Sequence, residues 1–571
     1  MRLRVDGCNL RERWGDRHGA PTAPLPVNSD MPRPALSPAR LVALAALLTL
    51  APATAIRAQE IPTVGVPTSD PVIQRIYQEG MRNSQAARLA QVLMDSIGPR
   101  LTGSPANRSA NEWLVKTYTS WGIPARNEKY GTWRDWARGQ SRVELTQPRV
   151  RTLEATQLAW SAPTPAGGAT GEVVNLPVFG AAMDSAGFTR WLGTVRGKFV
   201  LMSFPQPTCR PDTSWQTWAT PEVYQAMQAS RDTAMQQWRQ RLTAMGANAR
   251  TLASQLDAAG VAGVLSNTWS RGWGVDKIFS TRTERSPSFD VSCEDYGLLS
   301  RLAQNGQHPV VRAVAESKLA PQEGPVYNTV AEVKGSEKPS EYVMLSAHLD
   351  SWDGGSGATD NGTGTIIMLE AMRILRAAYP QPKRTILAGH WSGEEEGEIG
   401  SSAFAVDHPD VLKGLQVLLN QDNGTGNIDR VVTVGFLDAP EHFARWMSKM
   451  PEDVWRGTTL EFPGYAHNES TDSDAFACRN APGFFLNSAD WDYNDYTWHT
   501  NRDTYDKISF DVIRKNATFL AMLAYAASED PSMLGRERRV PALDAATGRE
   551  IPAPRCGTPP RSFKESLTRR R

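Results

Sequence analysis

Two histidines and five carboxylates sit in short blocks that could do chemistry: His348 and Asp350 in Ala-His-Leu-Asp, Asp360 in Gly-Ala-Thr-Asp-Asn-Gly, Glu394 and Glu395 in Ser-Gly-Glu-Glu-Glu-Gly, Asp422 in Gln-Asp-Asn-Gly, and His499 in Trp-His-Thr. Imidazole and carboxylate are the ligands zinc takes in hydrolytic sites. Two His, an Asp able to bridge, a Glu and a second Asp make a ligand list for a paired zinc centre. Glu394 is then left over as a base for an attacking water. Taken singly, each residue has an ordinary reading. Asp360 precedes a helix, where Asp is a common N-cap. Glu394–Glu396 is a solvated acidic loop, Asp422 an exposed turn residue, and His348 and His499 are loop imidazoles. The chemical reading rests on the set.

Spacing adds detail. In extended backbone, residues two apart project to the same side, so Asp350 can fix the tautomer of His348. Adjacent Glu394 and Glu395 point to opposite sides, so one can hold a metal while the other faces substrate. Their mutual repulsion is relieved by a cation. Asp503 or Thr504 can orient the His499 loop. His18, His308, His408 and His442 carry no such pattern; His390 reads as a core histidine and His467 as a weak substrate contact.

Elements that position these blocks alternate between strand and helix. Tyr342–Ala347, Arg384–Trp391, Leu415–Asn420, Val431–Gly435 and Gly483–Asn487 read as strands, with helices over Thr363–Ala378, Ile399–Val406 and Phe510–Ser528. That alternation predicts an α/β fold, a mixed and mostly parallel sheet flanked by helices. Helical periodicity also covers Val72–Tyr77, Ala86–Ile97 and Ala106–Trp121. From about Gly167 the texture turns to short strands, interrupted by a polar helical stretch over 221–256, and it ends at the Pro/Gly boundary near 320. The chain of 571 residues is too long for one core. The expected division is 1–58 leader, 59–160 N-terminal part of the catalytic domain, 161–320 inserted β-rich block, 321–535 main catalytic domain and 536–571 tail.

A formal charge of +1 gives no reason to invoke nucleic acid or an anionic membrane. Met31-Pro-Arg, Arg40 and the apolar run Leu41–Ala53 have the form of a secretory signal with cleavage near Ala55 or Ala58. The mature protein is then expected to be secreted or periplasmic, with no membrane attachment. Cys209, Cys293, Cys478 and Cys556 remain, an even number in an oxidising compartment. Of three possible pairings, Cys209–Cys293 and Cys478–Cys556 avoid crossing between the inserted and catalytic blocks.

The runs HLDSWDGGSGATDNGTG (348–364), SGEEEGEIGSSAF (392–404), QDNGTG (421–426), TDSDAF (471–476) and WHTNRDTYDKI (498–508) resemble the co-catalytic zinc exopeptidases, among them secreted bacterial aminopeptidases and plasma glutamate carboxypeptidase (carboxypeptidase Q). The block near 165–318 is similar to their inserted protease-associated domain. The resemblance implies two Zn2+ per chain. His348 and Asp422 would ligate one, Glu395 and His499 the other, and Asp360 both. Asp350 would orient His348, Glu394 would be the general base, and Ser473 and Asp474 would lie near substrate. It also implies a cis peptide between Asp360 and Asn361. The expected substrate is a short peptide attacked at a terminal bond. An aminopeptidase is favoured, with Asp490, Asp492 or Asp495 for the substrate ammonium. A carboxypeptidase or dipeptidase, with Arg479 or Arg502 as clamp, is the alternative. A single-zinc glutaminyl cyclase and a non-catalytic binding ectodomain are the other classes, and a homodimer stays open.

Overall fold

A computed structural model describes residues 68–248, 251–461, 470–539, 547–550 and 556–570. The expected leader and His467 lie outside these residues. In chain order the strands are β1 (Ala125–Ala137), β2 (Ser141–Gln147), β3 (Arg151–Leu153), β4 (Ala155–Gln157), β5 (Ala169–Asn175), β6 (Phe199–Leu201), β7 (Gly263–Ser266), β8 (Ser288–Val291), β9 (Val310–Ala315), β10 (Lys318–Val333), β11 (Lys338–His348), β12 (Arg384–Trp391), β13 (Leu415–Asn420), β14 (Ile428–Val432), β15 (Thr459–Leu460) and β16 (Gly483–Ser488). They form two eight-stranded sheets.

The first sheet runs β1-β10-β12-β11-β13-β16-β14-β15. Its centre, β12-β11-β13-β16, is parallel, and β10 and β14 join it antiparallel. Every residue of β12 and β13 is buried. Burial on both faces is why these strands read as apolar runs without alternation. Helices Pro71–Met81, Thr363–Ala378 and Phe510–Glu529 cover one face through Ile73, Met372 and Leu520. On the other face Trp391 meets Phe404 of helix Ile399–Asp407 and Phe476. The parallel centre determines where a site forms. His348 ends β11, Glu394 lies just past β12 and Asp422 just past β13, so all three gather outside the carboxyl ends of neighbouring strands.

The second sheet runs β3-β2-β9-β5-β6-β7-β8-β4 and is built from residues 141–315. Phe199, Leu265, Phe289 and Leu299 form its core. The polar helix Pro221–Ala244 stands out from it, with only Arg231 and Leu242 buried. Cys209–Cys293 lies within this block, and Cys478–Cys556 ties the tail to the catalytic sheet. Both pairings agree with the sequence. Each bridge closes a long loop, by 84 and 78 residues, and constrains the unfolded chain by roughly 4 kcal/mol. Among the described residues no helix is long and apolar enough to cross a membrane.

Candidate metal centre

Asp360 lies between the two imidazoles and offers a different oxygen to each. His348 Nε2 is 3.4 Å from Asp360 Oδ1, and His499 Nε2 is 3.1 Å from Asp360 Oδ2. Beyond His348 lie Asp422 Oδ1 at 2.7 Å and Glu394 Oε2 at 3.9 Å. Beyond His499 lies Glu395 Oε2 at 2.9 Å. Two triads result, His348–Glu394–Asp422 and Asp360–Glu395–His499, each with its donor atoms within 4.8 Å of one another. All of these but His348 line a cavity of about 430 Å3 together with Glu398, Thr471, Tyr493 and Trp498. Six side chains from five separate stretches of sequence thus converge, and the reading of them as solvated loop residues fails on burial. The Asp360–Asn361 peptide is cis.

The donor set fits a divalent cation. Five carboxylates, counting Asp350, crowd two imidazoles in a buried site, and Glu395 Oε1 is buried with no hydrogen-bond donor. Burial pushes the Glu395 carboxyl up to about 7. Burial also pushes Glu394 well above the usual carboxylate range, helped by Asp422, Asp472 and Glu395. Burial pulls His499 down, but Glu395 and Asp360 override it and hold the imidazole at about 9. His348 is held well above its ordinary value against burial by Asp422 and Glu394. Such a cluster carries more negative charge than its imidazoles offset, which is what a bound cation corrects.

Supporting contacts come from all parts of the chain. Asp350 reaches His348 through its main chain: His348 Nδ1 is 3.0 Å from the Asp350 carbonyl and 3.6 Å from its carboxylate. The carboxylate instead accepts from Thr102 Oγ1 at 2.8 Å and from the Glu394 and Glu395 N–H groups at 3.3 and 3.4 Å. Asp350 therefore sets the Glu394–Glu395 turn as well as the imidazole. Asp503 accepts from Thr359 N at 2.7 Å and Asp360 N at 3.0 Å, and so fixes the segment that presents Asp360. Thr471 Oγ1 donates to Asp422 Oδ2. Gly357 turns this segment at φ +57, where a Cβ would meet Ser351 at 2.3 Å.

His499 is held from the segment between β7 and β8. Ile278 N donates to the His499 carbonyl at 2.9 Å, Asp276 N to Asn501 Oδ1 at 3.0 Å, and Lys277 Nζ to the Trp498 carbonyl. Trp498 stacks on the imidazole with centroids 4.1 Å apart, and Phe279 meets it edge-on at 5.1 Å. These contacts hold His499 at φ 52, a left-handed conformation uncommon for a non-glycine residue.

Arg100 was not read as functional. It is fully buried, and donates to the carbonyls of Leu349 at 2.6 Å, Gly98 at 3.1 Å, Ser356 at 2.7 Å and Gly357 at 2.7 Å. One guanidinium thus ties the His348–Asp350 block to the Asp360 block. The break in helical pattern at Gly98-Pro-Arg-Leu-Thr-Gly was its only trace in the sequence. Arg100→Met leaves four carbonyls without this donor, and the expected cost is about 3–5 kcal/mol. Urea unfolding followed by fluorescence measures it; a loss below about 1 kcal/mol would mean that other donors replace the guanidinium.

Glu398 is the other residue missed. It lines the same cavity, and burial, with Asp474 and Asp422 nearby, pushes its carboxyl up to about 8. Ser473 and Asp474 are buried beside the cavity, whose wall is formed by Ser470 and Thr471 of that loop. Asp490 caps Asn494, with its N–H at 3.2 Å, and Asp492 lines a neighbouring aromatic cavity with Trp273 and Trp491. Arg479 is engaged by the carbonyls of Ala475 and Gly557 at 2.6 and 3.1 Å, and Arg502 by Gly274 and Glu154 at 2.7 and 3.1 Å, so both are committed to structure. His390 is the expected core residue, buried against the Tyr118 hydroxyl at 2.8 Å.

Residues 328–524 match peptidase family M28. The chain carries an M28 peptidase domain. This metallopeptidase is 26% identical to mouse carboxypeptidase Q over 445 residues, covering 78% of this chain and 86% of the relative. It is 25% identical to human carboxypeptidase Q over 455 residues, covering 80% and 87%. Among solved structures, the peptidase M28 precursor of Shewanella amazonensis superposes with a TM-score of 0.59 at 23% identity, over 82% of this chain and 98% of that one. The Bacillus subtilis zinc aminopeptidase gives 0.51 at 19%, over 78% and 94%. These structures share the fold. The match to a peptidase family and the similarity to carboxypeptidase Q indicate a metallopeptidase hydrolase rather than a non-catalytic binding ectodomain.

Proposed function

We propose that the chain is a secreted two-zinc aminopeptidase acting on short peptides. The observation that carries this reading is Asp360, which presents one oxygen toward each histidine between two further carboxylates. His348 and Asp422 would hold one zinc, Glu395 and His499 the other, and Asp360 both. Zinc bound there would lower the pKa of a water toward about 7 and polarise the scissile carbonyl. Glu394 takes a proton from the attacking water and returns it to the departing amine. Asp350 holds the Glu394–Glu395 turn and the His348 ring in place for that transfer. Thr471 and Asp503 orient Asp422 and Asp360.

Glu398 supports cleavage at the amino end. Its carboxylate lines the cavity beside Asp422 and in the field of Asp474, so a substrate ammonium placed there relieves like-charge repulsion. The names of the curated relatives favour a second reading, a carboxypeptidase or dipeptidase. Matched dipeptides with an acetylated amino end or an amidated carboxyl end separate the two. Amidated substrates should be cleaved and acetylated ones should not, and Glu398→Gln should raise KM for the amidated peptide about tenfold with kcat little changed. Cleavage restricted to acetylated, free-carboxylate substrates would overturn the aminopeptidase reading.

Two disulfides fit an oxidising compartment and support export. The expected boundary at 160/161 moves to about 141, because β2, β3 and β4 pair within the second sheet; we assign 59–140 with 321–535 to catalysis, 141–320 to an inserted protease-associated-like domain and 536–571 to a tail pinned by Cys556. The inserted domain also serves the site, because residues 276–279 brace the His499 loop.

A further inference from the structure

A cavity of about 510 Å3 opens inside the second-sheet block, between helix Pro221–Ala244 and the segments at 202–206 and 267–271. Four of its wall residues are arginines, Arg231, Arg239, Arg271 and Arg282, against one acid, Asp232. Arg231 is only 9% exposed. It pairs with Asp212 at 2.8 Å and lies over the Trp269 ring at 4.8 Å, yet its Nε is buried with no acceptor, as is Trp269 Nε1. Gln206 Oε1 and Asn267 Oδ1 in the same wall are likewise unpartnered. The net charge is positive and two buried donors await an acceptor. Leaving such donors unmatched costs about 1–3 kcal/mol each. Guanidinium groups with an aromatic floor suit a carboxylate.

This space adjoins the catalytic cleft through shared wall residues. A second cavity of about 550 Å3 starts at Glu395 and Glu396, passes Lys277 and Phe279, and reaches Arg282; it shares Met202, Ser203, Thr268 and Arg282 with the arginine cavity. Glu395 lines both the metal-centre cavity, which holds Glu398, and the second cavity, which holds Arg282. A peptide with its ammonium at Glu398 and its first bond at Glu394 that runs on past Glu395 into the second cavity brings its carboxyl side to the arginines.

We infer that the arginine-walled cavity is a subsite for the acidic carboxyl-side end of a peptide substrate, receiving either the terminal carboxylate or an Asp or Glu side chain. The inference rests on the aminopeptidase reading for its direction and on the cavity for its chemistry. It gives the inserted block a second task besides bracing His499, which is selecting longer acidic peptides over neutral or amidated ones.

Steady-state kinetics of the zinc-loaded enzyme on two pentapeptides test it, one ending in Glu with a free carboxylate and one ending in Gln-amide. A dipeptide amide, which lacks the carboxyl-side residues, serves as control. The wild type should prefer the acidic pentapeptide by about tenfold in kcat/KM. In the R239Q/R271Q double variant, at two exposed positions, that ratio should fall to near one through KM, with the control unchanged. Equal rates on both pentapeptides in the wild type, or an equal loss on both in the variant, would overturn the subsite. Repeating the acidic series with acetylated amino ends separates the two layers. If acetylated peptides are cleaved and the arginine dependence persists, the amino-end reading fails and the subsite stands.

Discussion

Glu394→Gln lowers kcat by about a thousandfold or more and leaves zinc content unchanged. The amide keeps the shape of the carboxylate but cannot accept the proton of the attacking water, and general-base catalysis supplies about 10²–10⁴ in rate. Glu394 sits where this matters, with its N–H 3.3 Å from Asp350 Oδ1 and its Oε2 3.9 Å from His348 Nε2. The same proximity makes a rival role concrete, because Glu394 shares a potential ligand triad with His348 and Asp422. Metal analysis of the purified variant separates the two roles. Loss of one zinc with the activity makes Glu394 a ligand, and near wild-type turnover removes it from the mechanism altogether.

Asp360→Ala should be the most damaging single change. Among the described residues Asp360 is the one carboxylate within 4 Å of both imidazoles, so zinc should fall from two per chain to one or fewer and kcat/KM by at least about 10⁴-fold. The apo fold should survive, because deleting one carboxylate from an acidic cluster also removes repulsion. Circular dichroism of the apo forms checks the fold, and metal analysis with kinetics checks the site. Two zinc ions retained at near wild-type affinity would sink the bridging assignment.

How far the sequence reaches differs along the chain. The catalytic sheet was legible because β12 and β13 are buried on both faces, so their apolar runs end cleanly and place Glu394 and Asp422 just beyond. Helix Thr363–Ala378 emerged with its bounds intact, since a buried amphipathic helix repeats strongly. β1 was not foreseen. Its exposure pattern follows pairing with β10, far away in sequence, and its register shifts at Lys129–Gly131 and Arg134–Trp136 break any alternation. At the site, the seven candidate positions were visible because imidazole and carboxylate types recur in short Gly-rich blocks, three of them at or just past strand ends. Arg100 and Glu398 were not, because a lone Arg or Glu in a loop looks solvated until the fold buries it. The brace from Lys277 and Ile278 to the His499 loop was equally hidden, since it joins positions more than two hundred residues apart.

Crystals of the zinc-loaded wild-type protein, with diffraction measured on both sides of the zinc absorption edge, test the account most directly. Two anomalous peaks are predicted, one against His348 and Asp422, the other against Glu395 and His499, with Asp360 touching both. A single peak, or peaks away from Asp360, would contradict it.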